Sequence, residues 1–338
     1  QASGISRAIE RLQGIVQRDE GGRGIGPLTQ PGQLHSVASE LFAMTQATSA
    51  NGVIVLTGFP CMRDRTPPTE TDGPPGAVAV ARSLLALGVA VRLPIEDHSE
   101  EVLRGCALSQ CEGLVADAKE LVVGFPTADR WTMSDDHRLR ELCTSASAVV
   151  CLERAGPASD GVCRTMRGFP MGDSLIATQL NEIVSDKSYG LRSVAIGDGG
   201  NELGLGALHS AICEHVPNGA SIGCVVPTNA VLVASVSNWG GYALSHALAL
   251  LAWDAGLKLS ATDAEQAVPY LDRIAPGCDT VAKTILAANT AGAVDGITAQ
   301  AGGAVDGMPL EQQCQIVGEL RAVCLAYMAE EPYGGNSQ

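Results

Sequence analysis

The stretch Ser193-Val-Ala-Ile-Gly-Asp-Gly-Gly-Asn-Glu-Leu-Gly-Leu-Gly206 opens on a short apolar run and passes straight into glycines that carry Asp198, Asn201 and Glu202. An apolar run bounded by glycine reads as a buried strand, here residues 193–197, and residues 202–215 read as the helix after it. The same succession of strand, polar loop and helix recurs along the chain. Further strands are expected at residues 53–57, 89–93, 120–124, 148–152, 221–226 and 231–236, with helices at 77–87, 99–108, 135–143, 173–184 and 242–255. Strands joined through helices run parallel and carry helices on both faces. The expected fold is therefore α/β, a doubly wound, mostly parallel Rossmann-like sheet with helical additions at both ends. By this division residues 1–50 form a helical segment, 51–256 the sheet core with its ligand loops, and 257–338 a helical appendage packed on that core.

Composition narrows the function. The 338 residues carry a formal charge of -15, and only four of the basic residues are lysines, Lys119, Lys187, Lys258 and Lys283. A protein bound mainly through phosphates needs an excess of basic side chains, so a nucleic-acid or anionic-membrane surface is excluded. An anionic small molecule must then be met by local arginines or backbone N–H groups. Residues 231–253 lack charge, but Asn238, Gly240 and Gly241 interrupt them, and they read as a buried strand, turn and helix rather than a membrane span. No secretory pattern opens the chain. The eleven cysteines are odd in number and form no C-x-x-C pair, and Cys151, Cys213, Cys224 and Cys324 sit in apolar runs. Reduced thiols are expected rather than a zinc or disulfide scaffold.

Ligands of open parallel sheets bind beyond the carboxyl ends of the strands, so the loops there carry the functional reading. After the first strand, Pro67-Pro-Thr-Glu-Thr-Asp-Gly-Pro-Pro75 fixes the backbone with prolines and projects Thr69, Glu70, Thr71 and Asp72, with Arg63 and Arg65 just before. A rigid surface loop that caps the next helix is the plain alternative. The glycine-rich loop offers the N–H groups of Gly199, Gly200 and Asn201 to an anion, and Asp198 and Glu202 as acid and base or as oxygen ligands for a hard cation. It lacks the Lys-Ser/Thr ending of a nucleotide-binding loop. Glu153 and Arg154, at another strand end, are read either as a mutual ion pair or as the source of a substrate-binding arginine. The loop at 157–171 reads as a solvated connection or a lid. Ser237 and Asn238 are suited to orienting a ligand, whereas Trp239, Tyr242, His209 and His246 read as core or capping residues. Cys61 lacks a partner in sequence for a thiol-enzyme role.

Together, Gly58-Phe-Pro-Cys61 with the proline-rich run, Glu153-Arg-Ala-Gly156, Gly197-Asp-Gly-Gly-Asn-Glu202 and Ser237-Asn-Trp-Gly240 resemble the C-terminal domain of the D-glutamate cyclase family, over roughly residues 11–327. The resemblance implies a hydro-lyase that closes D-glutamate into 5-oxo-D-proline and water, and a mitochondrial matrix location, with the cytoplasm as the alternative. Long animal members carry a further domain upstream, so a stand-alone homologue or a piece of a longer protein is expected. Glu70, Asp72, Asp198 and Glu202 would divide acid and base work. Thr69, Thr71, Arg63, Arg154, Gly199, Gly200, Asn201, Ser237 and Asn238 would bind a small dicarboxylate amino acid. No cofactor is required by the sequence, although Asp198 and Glu202 offer a place for Mg²⁺ or Mn²⁺, and a homodimer is left open. The competing reading is a non-catalytic module that binds an acidic metabolite or a nucleotide, and a nucleotide-dependent enzyme ranks third.

Overall fold

A computed structural model describes residues 3–20, 22, 24–46, 51–259, 266–331 and 333–334. Six strands, β1 (Gly52–Gly58), β2 (Val91–Glu96), β3 (Val122–Phe125), β4 (Ala146–Arg154), β5 (Arg192–Gly197) and β6 (Ala230–Val233), form one sheet in the order β3-β2-β1-β4-β5-β6. Every pairing is parallel. The fold is the Rossmann-like sheet expected from the alternation.

Side-chain alternation within the strands sets the layers. Val53 and Val55 of β1, Val150 and Leu152 of β4 and Ile196 of β5 enter one core. Their neighbours Ile54, Leu56, Val149, Cys151 and Ala195 enter the other. The first core is covered by α1 (Gly4–Val16), α2 (Gln33–Thr45), α3 (Pro74–Ala86) and α4 (Glu100–Cys111). On the second face lie α5 (Met133–Thr144), the short α6 (Glu182–Ser185) and α7 (His209–His215), with α8 (Gly219–Ile222) beside α7. The chain then returns to the first face as α9 (Ser237–Asp254), followed by α10 (Ala267–Ile274), α11 (Cys278–Thr290) and α12 (Leu310–Glu330). Helix α9 packs against α1, α2, α3, α10 and α12 as well as the sheet. That enclosure explains why it is apolar all round. Among the described residues no helix is long and apolar enough to cross a membrane.

Local corrections have visible causes. Residues 221–226 are no strand: Ser221 and Ile222 end α8, and the N–H groups of Cys224 and Val225 donate to Gly200 (3.0 Å) and Pro157 (3.0 Å), both in loops. A short buried apolar run fits either arrangement by pattern alone. The helix expected from residue 202 starts at His209, because the Leu203 N–H donates to the Arg154 carbonyl (2.7 Å) and the Gly206 N–H to that of Val226 (3.0 Å). The helix expected at 173–184 shrinks to a turn at Thr178–Asn181 and α6. Residues 260–265 of the expected helical appendage lie outside the described residues. Cys278 and Cys314 form a disulfide, with Cα atoms 4.8 Å apart, that ties the start of α11 to the second turn of α12. The expectation of thiols throughout is corrected there, since residues 36 apart in sequence meet only through helix packing, while the other nine cysteines are free.

Candidate active site

Strand order reverses between β1 and β4, and loops leaving adjacent strands in opposite directions open a crevice at their carboxyl ends. A cavity of about 180 Å³ lies there. It is smaller than the roughly 300–1,000 Å³ clefts that hold drug-sized ligands, and suits a small metabolite better than a dinucleotide.

The loop after β1 supplies Glu70 and Asp72. A short parallel bridge from Glu70 to Val294, with Thr71 N–H donating to the Val294 carbonyl (3.0 Å), sews this loop to the connection before α12. Thr69 and Thr71 serve the same seam. Their hydroxyls meet Ser99 Oγ (2.5 Å) and the Ala304 carbonyl (2.8 Å), and neither lines the cavity.

Asp72 and Asn238 exchange caps between two helices. The Asp72 carboxylate accepts from the N–H groups of Ser237 (3.0 Å) and Asn238 (2.8 Å), at the start of α9. The Asn238 side-chain oxygen accepts from Gly73 (3.1 Å) and Gly76 (2.7 Å), at the start of α3, and its amide nitrogen donates to the Thr71 carbonyl (2.9 Å). Two helix N-termini therefore converge beside the acids, where their dipoles favour negative charge. The approach requires Gly76, since a Cβ there would stand 2.7 Å from Asn238 Cα.

Strand β4 ends on Glu153 and Arg154. Consecutive strand residues point to opposite sides, and the two do not pair with each other. Arg154 is fully buried and donates to Glu96 (2.8 Å), Asn181 Oδ1 (2.9 Å) and the Ala177 carbonyl (2.9 Å). The expectation that it binds substrate is corrected to an internal brace joining β2, β4 and the 177–181 turn. Glu153 lines the cavity instead, with φ at 46°, a conformation uncommon outside glycine that marks functional positions. Its Oε2 accepts from Ser237 Oγ at 2.5 Å.

After β5, Asp198 is buried against the same group. The Glu202 carboxylate folds back onto its own loop, accepting from the N–H groups of Asp198 (3.1 Å), Gly199 (2.6 Å) and Gly200 (2.6 Å). The anion that the Gly199 and Gly200 amides hold is thus Glu202, a correction to the expectation of an outward-facing anion site. Asn201 reaches sideways, its Nδ2 donating to the Arg164 carbonyl (2.8 Å).

Asp306 completes the cluster from the glycine-rich connection before α12, and sequence reasoning missed it as it missed Glu153. Nothing local marks Asp306, which enters only because that connection folds over the sheet. Glu153 carried a signal in its place at the carboxyl end of a central strand. Carboxylate oxygens of Asp72, Asp198 and Asp306 converge within 4.8 Å, as do those of Glu153, Asp198 and Glu202. Burial, then the charges of Asp306, Asp198 and Glu70, push the Asp72 carboxyl well above the usual range, opposed by the Asn238 N–H. Burial, then Asp198, Glu202, Asp72 and Glu70, do the same to Glu153. Carboxyls crowded in this way share protons at neutral pH. Either oxygen set could instead hold a hard divalent cation, which prefers oxygen ligands.

Other candidates fall outside the chemistry. Burial, then the neighbouring Glu70, raises the Cys61 thiol far beyond the range of a thiolate nucleophile. His246 is buried on α9, held to about 4 by desolvation, and bonds the Tyr242 carbonyl at 2.7 Å. His209 bonds the Cys224 carbonyl at 3.1 Å.

A six-stranded parallel sheet in this order, with a carboxylate-lined cavity at its crossover, defines a Rossmann-like α/β protein. Residues 12–321 match the family described as D-glutamate cyclase-like, C-terminal, and the chain belongs to that family. It is 34% identical over 263 residues to the human protein named D-glutamate cyclase, mitochondrial, a match that covers 73% of this chain and 39% of the relative.

Proposed function

We propose that the chain is a hydro-lyase that converts D-glutamate to 5-oxo-D-proline and water, acting in mitochondria as the human relative's name indicates for that protein. The observation that carries the reading is that Glu70, Glu153, Asp198 and Asp306 line one small cavity, with Asp72 buried against Asp198 and Asp306 behind them, in a chain of this family.

The reaction needs that kind of cluster. The α-ammonium gives up a proton to become a nucleophile, nitrogen bonds to the γ-carboxyl carbon, and the C–O bond to the departing hydroxyl breaks once that oxygen has taken up a proton. A second proton leaves nitrogen as the amide forms, so protons released at nitrogen balance those consumed at oxygen. Carboxyls whose surroundings hold one of them protonated beside an ionised neighbour provide both acceptor and donor. An acidic floor also attracts the ammonium group. Enclosure holds amine and carboxyl in contact, which favours an intramolecular attack. A bound Mg²⁺ or Mn²⁺ would neutralise the acids and polarise a carboxyl oxygen; the all-oxygen donor sets fit such ions.

The test is incubation of the purified chain with D-glutamate and detection of 5-oxoproline, with and without Mg²⁺ or Mn²⁺. Turnover is expected. Saturable D-glutamate binding without product under any condition would replace the enzyme reading with that of a binding module.

A further inference from the structure

The cavity has two poles. Its floor is acidic, and a dicarboxylate amino acid entering it must place at least one carboxylate away from that floor. Four arginines lie in the loops around the site and a fifth ends β4, and the structure divides them. Arg154 is committed to the buried Glu96 brace. Arg164 is held by both oxygens of Asp160, at 2.8 and 2.6 Å. Arg65 donates to the Ala299 carbonyl at 2.8 Å. Arg63 and Arg167 are the two that line the cavity, and neither makes a salt bridge among the described residues.

They come from different loops and meet the same mouth. Arg63 precedes the proline-rich run, and its guanidinium lies over the Phe169 ring, 5.7 Å from its centre, in a cation–π contact that joins the two loops. Arg167 sits on a turn in which Thr165 N–H donates to the Phe169 carbonyl (2.9 Å) and Gly168 N–H to that of Thr165 (2.8 Å). Asn201 and Asn218 fasten this turn through the carbonyls of Arg164 (2.8 Å) and Met166 (3.2 Å). The segment read from sequence as a solvated connection or lid is thus an anchored wall that presents one arginine.

We propose that Arg63 and Arg167 form the clamp for the substrate α-carboxylate, and that this clamp sets the direction of binding, α-carboxylate at the mouth with amine and γ-carboxyl at the acidic floor. The assignment of Arg167 deepens the proposed reaction and rests on it for the identity of the amino acid. The reacting γ-carboxyl belongs at the floor because it must be neutralised there. The α-carboxylate, which stays ionised, belongs where a guanidinium can take it with charge-assisted hydrogen bonds.

Two probes need no turnover: D-norvaline, which keeps the α-amine and α-carboxylate but cannot cyclise, and butylamine, which keeps only the amine. Calorimetry on the folded wild type, Arg63→Met, Arg167→Met and Arg167→Lys is expected to show D-norvaline weakened about tenfold or more in both Met variants, partly recovered in Arg167→Lys, and butylamine unchanged. KM for D-glutamate should rise by a similar factor with kcat kept within about twofold, as for loss of binding common to ground and transition states. Unchanged D-norvaline affinity in either Met variant, an equal loss for butylamine, or no D-norvaline binding by wild type would overturn the clamp. The expected binding pattern without any cyclisation of D-glutamate would leave the clamp standing and remove the reaction alone.

Discussion

Replacing Arg154 by Met should cost stability first, because the guanidinium is an internal brace. Both Arg154 and Glu96 are buried, with side-chain exposures of 0% and 1%. Deleting the guanidinium leaves a Glu96 carboxylate that keeps the Ala177 N–H (2.8 Å), an Asn181 side-chain oxygen and an Ala177 carbonyl stripped of their donor. Removing one partner of such a buried pair typically costs about 3–5 kcal/mol. At about 2.1 cal/mol/K per residue, a chain of 338 residues has an unfolding entropy of roughly 0.7 kcal/mol/K, so Tm should fall by about 4–7 °C. Scanning calorimetry measures the fall. Pairing the substitution with Glu96→Gln should recover part of it, since the orphaned charge disappears with its partner. The brace is refuted if Arg154→Met melts within about 1 °C of wild type, and a sharp rise in KM for D-glutamate in that variant would show the arginine serving the ligand and not the fold.

Three further expectations follow from the cluster. Asp72→Asn and Asp198→Asn should each lower turnover by about a hundredfold or more, the scale of a lost acid–base group, with circular dichroism unchanged; wild-type rates in both would place the chemistry elsewhere. Because the Asp72 and Glu153 carboxyls are held above their ordinary range by burial and neighbouring acids, the native state binds more protons than the unfolded chain, and stability should fall as pH rises from about 5 to 8. Asp198→Asn should flatten that slope in a series of Tm measurements, and a Tm that rises over the same interval would contradict the assignment. Gly296→Ala would drive a methyl group into the Glu70 carboxylate; activity should drop at least about tenfold, with a stability loss of about 1–3 kcal/mol typical of overpacking, and a fully active variant would show that Glu70 is dispensable.

Much of this molecule is set by local pattern. Alternation of β-branched runs with helical segments is enough for a parallel doubly wound sheet, because each strand must bury both faces, and Val53 and Ile54 show the period-two rule at work. The same pattern places Glu70, Asp72, Asp198 and Glu202 in loops at the carboxyl ends of strands, where an open sheet leaves its crevice. Direction and partnership are another matter. That Arg154 turns inward to Glu96 while Glu153 turns to the cavity, and that Asp306 arrives from the far end of the chain, depend on contacts between residues tens to hundreds of positions apart. Spacing along a chain cannot express these, since burial decides which charges must be paired and only the packed sheet decides what is buried. The sequence alone showed an acidic protein short of cations for an anionic ligand; the tertiary structure chose which arginines remain available to meet one.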